Sequence, residues 1–190
     1  LYSSAASDVY KRQMLTLASA RYAIQKFDED RGTLVGNQLQ AVTDALAAYI
    51  RQNTDVLSDP SFRDTDKISI KANALPTVAQ LKAQKFLHTS FSETPSFGGA
   101  YSFDIKVTFA YTGGNTTICT SNCNIVGHVR LTQPITSGNG NTQNIRILGA
   151  AMGASRTSQV GFSTSLNPTS ITGPQGFWLI NNPSNLPGIL

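Results

Sequence analysis

Tyr22 to Leu57, "YAIQKFDEDRGTLVGNQLQAVTDALAAYIRQNTDVL", is the stretch that decides the fold. Val35, Leu39, Val42, Leu46 and Tyr49 recur at spacings of four, three, four and three. That rhythm lines side chains along one face of an α-helix. Ile24, Phe27 and Leu34 carry the stripe toward the N-terminus, Ile50 widens it, and Asp44, Arg51 and Gln52 fall elsewhere on the wheel. Gly32 and Gly36 interrupt the pattern, and each costs about 1 kcal/mol relative to Ala inside a helix. Sitting four apart, they admit a close backbone contact, a local melt or simple tolerance. At about 1.5 Å per residue the helix is near 50 Å long, more than a globule of this size covers along its full length. The upper part is expected to project and to need a partner. Ile24, Phe27, Leu34 and Val35 would meet other helices there, while Leu39, Val42, Leu46 and Tyr49 would hold the chain's own sheet.

That sheet is expected from "YSFDIKVTFAYT". Tyr101, Phe103, Ile105, Val107, Phe109 and Tyr111 alternate with Ser102, Asp104, Lys106, Thr108 and Thr112, so one face packs and one is wet. Phe103, Ile105 and Val107 are the expected partners of the lower helix. Gly113 to Asn115 turns the chain, "TTIC" starts a return strand and "NIVGHVRLTQPI" continues it, which gives an antiparallel meander of two or three strands. Before the sheet, Ser58 to Ala74 reads as a loop with a short strand at Ile68 to Ile70. Thr77 with Gln80 forms a capping box opening a short helix that ends near Phe86. After the sheet, Thr142 to Ala154 forms a short helix with Ile145, Leu148 and Met152 on one face, weakened by Gly149 and Gly153. The Gly- and Pro-rich tail holds one strand, "GFWLI".

Only 14% of the residues are charged, and Ser, Thr, Asn and Gly fill the gap, a surface composition common in secreted β-rich proteins. The formal charge is +4, with no block of like charges and no basic stripe interleaved with aromatics, so nucleic acid is not an expected partner. No run of 18 apolar residues is present. Cys119 and Cys123 in "CTSNC" can close a tight disulfide contributing about 2 kcal/mol, which would go with export. Two other readings stand beside it: a metal site with His128, which lacks a fourth ligand, and a pair of free thiols.

Catalytic motifs are missing: no G-x-S-x-G, H-E-x-x-H or P-loop occurs. His128 is expected on the wet face of its strand beside Arg130, and His88 near the end of the short helix. The carboxylates of Asp28, Glu29 and Asp30 are expected to be solvated or paired with a neighbouring subunit. Asp64 and Asp66 lack the further oxygen ligands of a calcium loop. No catalytic residue, metal or cofactor is assigned, and a non-enzymatic protein is expected.

"DRGTLVGNQLQAVTDALAAYIRQN", "PTVAQLKAQKFLHTSFSETPSFGGAYSF", "ILGAAMGA" and "GPQGFW" together resemble, in order and spacing, the type IVb pilins, in particular the PilV-type minor pilins at the pilus tip of shufflon-bearing conjugative plasmids. The resemblance covers roughly Ala20 to Leu190. It implies an α+β, type IV pilin-like fold in which a long N-terminal helix packs by its lower half on an antiparallel sheet. It further implies a non-enzymatic structural and adhesive subunit that passes through the inner membrane and periplasm to the cell surface. Other pilin subunits would be its partners, the inner membrane would be reached through an upstream helix segment, and a cell-surface glycan or lipopolysaccharide would be bound by a C-terminal region beyond Leu190. A major pilin or secretion-system pseudopilin is the nearest alternative, and a secreted β-rich hydrolase with His88 or His128 in a pocket is a second.

Ser3 to Gln13, "SSAASDVYKRQ", has the residue order of a translated transposase-based sequencing adapter. Leu1 to Gln13 is therefore read as an artefactual leader, the alternative being a polar, disordered one. The expected organisation is leader 1–13, long helix 14–57 and pilin-like globular domain 58–190, with the natural chain extending past both ends.

Overall fold

The helix α1 runs without interruption from Tyr2 to Gln52, about 75 Å at 1.5 Å per residue. The computed structural model describes residues 2–66, 68–108, 123–137, 142–155, 160–173, 176 and 178–190, with side chains from residue 7 onward. The helix begins earlier than its apolar rhythm, because the 2–21 stretch holds no Gly or Pro to stop it. Its end is earlier too. Asn53 leaves helical geometry, at φ −110° and ψ 21°, and a separate short helix α2 covers Thr54–Ser58. The Asn53 side chain donates to the Tyr49 carbonyl (2.9 Å), competing with continued helix at that point.

Val35, Leu39, Val42, Leu46 and Ile50 are all buried on one face of α1, as their spacing requires. Two clusters share that face. Val35, Leu39 and Val42 join Val78 and Leu81 of α3 (Val78–Ala83), Ile147, Leu148 and Ala151 of α4 (Ile145–Ala154), and Tyr101 and Leu131. Leu46 and Ile50 join Leu57, Ile70, Ile105 and Val107. Val35 therefore belongs to the chain's own core and not to a surface for other helices. It lies beside the two glycines, where α4 comes down on α1. Tyr49 is half-buried, edge-on to Phe86, and packs on both clusters with Phe103.

Strand β1, Tyr101–Thr108, pairs antiparallel with β2, Asn124–Leu131, from Tyr101↔Leu131 to Thr108↔Asn124. Tyr101, Ile105 and Val107 point into the core while Thr108 is exposed, the alternation expected of a half-buried strand. The far edge of β1 is met by Ile68–Ile70: Ile70 N–H donates to Ile105 O (2.9 Å) and Val107 N–H to Ile68 O (2.8 Å). The expected strand there is reduced to isolated bridges. The expected strand residues Phe109 and Tyr111, the 113–115 turn and "TTIC" lie outside the described residues. A second two-stranded sheet pairs β3, Ser170–Thr172, with β4, Leu179–Asn181. Thus β1 and β2 pair antiparallel within Tyr101 to Ile135, as expected, and the tail adds a second small antiparallel sheet.

Thr77 and Gln80 form the expected reciprocal capping box of α3. This helix ends at Ala83, short of Phe86: Lys85 takes a left-handed φ of 63°, and both Phe86 and Leu87 N–H return to Leu81 O. In α4 the buried residues are Ile147, Leu148 and Ala151, whereas Ile145 is exposed and Met152 half-buried. The reason is what α4 meets. A Cβ at Gly32 would lie 2.5 Å from Ile147 O, and one at Gly36 would strike the Ala151 carbonyl. The two glycines let α1 meet the α4 backbone at Ile147 and Ala151, and that approach turns Ile147 inward. The fold is mixed α+β, with the long helix packed by its lower half on a small antiparallel sheet.

Candidate interaction surfaces

Every residue from 7 to 27 of α1 is exposed. Several are large and apolar: Met14, Leu17, Tyr22, Ile24 and Phe27 are all more than half exposed, and Leu34 is half exposed at the level of Gly32. These side chains lie open to solvent along the part of α1 that precedes the body. Of the four residues expected to meet other helices, Ile24, Phe27 and Leu34 lie on this open surface and Val35 does not.

The point where α1 leaves the body is fixed by three contacts. The Arg31 guanidinium lies 4.2 Å above the Phe97 ring and 5.5 Å from the Phe27 ring. Asn144, which caps α4 by accepting from Ile147 N–H, also donates to the Asp28 carboxylate at 3.5 Å. Two turns below Arg31, Ser96 Oγ donates to Gln38 Oε1 (2.7 Å). Above these, Lys26 pairs with Asp30 at 3.0 Å within the helix surface. The acidic run is therefore divided: Asp28 ties the helix to the body and Asp30 pairs along it.

A second surface lies beside β2. One cavity of about 280 Å³ is lined by Leu39 and Thr43 of α1, Gly127 and His128 of β2, and Trp178 and Ile180. Another, of about 290 Å³, shares Thr43, Val126 and Gly127 and continues past Leu46 and Ile50 to Ile125. Gly127 brings β2 close to α1: a Cβ there would lie 2.6 Å from Ile50 Cδ1 and 2.8 Å from Leu46 Cδ2, so those side-chain ends would have to shift. In the sequence the signal was a lone glycine inside an alternating strand, which marks close approach of another element. Trp178 was legible only as part of a tail strand.

His128 is half-buried rather than fully solvated. Burial holds its pKa below the ordinary value of 6.5, with Asp104 opposing and Lys106 and Arg130 adding to the depression. Its cross-strand neighbour is Asp104, and no carboxylate, Ser or Cys is among the described residues lining its cavity. His88 is exposed, and its Nδ1 lies 2.7 Å from Ser90 Oγ. Asp66 accepts from Ile68 N–H, Ser69 N–H and Ser69 Oγ, so it closes a turn, and these bonds lower its pKa. Among the described residues no group of His, Cys, Asp and Glu is placed to hold a metal ion. Cys123 Sγ lies 4.0 Å from Arg63 Nη2. Its expected pairing with Cys119 lies outside the described residues, because Cys119 does. No described helix is long and apolar enough to cross a membrane.

Comparison with protein families, with curated proteins and with solved structures finds no match to this chain.

Proposed function

We propose that the chain is a PilV-like minor pilin, a structural and adhesive subunit of a bacterial type IV or conjugative pilus that assembles through the upper part of α1. The observation carrying this reading is the division of one helix into two environments. Its lower half is locked to a small antiparallel sheet, while residues 7–27 expose Leu17, Ile24 and Phe27 to water. Burial of such side chains against sister helices recovers about 25 cal/mol per Å² of apolar area. In the same reading the partners are other pilin subunits, the inner membrane is reached through sequence upstream, and a glycan or lipopolysaccharide is bound by sequence beyond Leu190. Export would carry the protein to the cell surface by way of the periplasm and would allow a Cys119–Cys123 disulfide.

The test is pull-down with the major pilin of a shufflon-bearing conjugative pilus, comparing the natural chain with Ile24→Asp and Phe27→Asp. Each substitution places a charge in the exposed stripe without touching the core. Association is expected to fall at least about tenfold, the loss of roughly one buried apolar side chain. Undiminished association of both variants would overturn the reading.

A further inference from the structure

We draw no further inference here: the strongest candidate, the apolar groove between β2 and Leu39, Leu46 and Ile50 of α1, carries none because nothing in the structure shows what covers it.

Discussion

Gly36 sets how closely α1 and α4 approach. In an exposed helix, Gly→Ala gains about 1 kcal/mol. Here the new methyl would enter the Ala151 carbonyl of α4, and overpacking of that kind costs about 1–3 kcal/mol. Gly36→Ala should therefore lower stability by up to about 2 kcal/mol in urea unfolding. Gly149→Ala and Gly153→Ala are the controls, because a Cβ at either position meets nothing within 4 Å. Each should raise stability by about 0.5–1 kcal/mol. Equal gains at all three positions would mean that α1 and α4 do not touch as described. The sequence placed Gly32 and Gly36 on one face but could not say what they met, since helix spacing fixes a direction and not a neighbour. Tyr101 raises a different question. Its side chain is buried, its hydroxyl has no hydrogen-bond partner among the described residues, and desolvation pushes its pKa from 10.0 to about 12. In the unfolded chain the phenol ionises first, so its contribution is whole below pH 10 and is lost as pH rises toward 12. Tyr101→Phe should remove that alkaline loss and leave stability at pH 7 equal or slightly higher, because an unsatisfied buried hydroxyl costs free energy. A melting curve of the variant that falls with pH as steeply as the parent's would assign the loss to other groups.

The elements differ in how much of them could be read in advance. The lower half of α1 was legible because the 4-3-4-3 rhythm from Val35 to Tyr49 has one helical solution, and Val35, Leu39, Val42 and Leu46 are buried accordingly. Strand β1 was legible for the analogous reason at period two. The capping box of α3 was legible because both its hydrogen bonds are local. What could not be read is non-local. Leu190 is buried because Leu131 N–H reaches its carbonyl across 59 positions of sequence, and no pattern near Leu190 announces it. The apolar spacing of α4 favoured Ile145 and Met152, yet its partner is a glycine face that only a helix with Ile147 and Ala151 inward can approach. Strand β2 is intermediate, since one edge is set by its pairing with β1 and the other faces the groove. His128 tests that element. Burial depresses its pKa below 6.5, so the unfolded chain binds the proton more readily. Stability is whole above about pH 6.5 and falls as pH drops through the folded-state value. His128→Gln should flatten the thermal-unfolding profile between pH 7 and pH 5. A profile as steep as the parent's would place the acid sensitivity elsewhere, as in Asp66, whose lowered pKa acts at lower pH.

At the scale of the whole molecule, one helix lies in two environments, and its exposure changes within about two turns. Residues 7–27 are all exposed; by Gly32, Val35 and Gly36 the helix is buried. Arg31 between Phe27 and Phe97, with Asn144 on Asp28, sets the boundary. Above it none of the described residues 7–27 is buried, and most helical stability in proteins comes from tertiary packing of one face. The upper part should therefore open locally at little cost, while the lower part opens only with the body. Hydrogen exchange on the monomer reads this directly. Amides from 7 to 27 should exchange orders of magnitude faster than those from 35 to 50, and removal of residues 1–27 should leave the melting temperature of the body nearly unchanged. If the exposed apolar side chains assemble with sister helices, protection of 14–27 should rise toward that of 35–50 on addition of the major pilin, and Ile24→Asp should prevent the rise. Equal protection of both halves in the isolated monomer would mean that the chain covers its own upper helix, and the argument for assembly from Leu17, Ile24 and Phe27 would lose its premise.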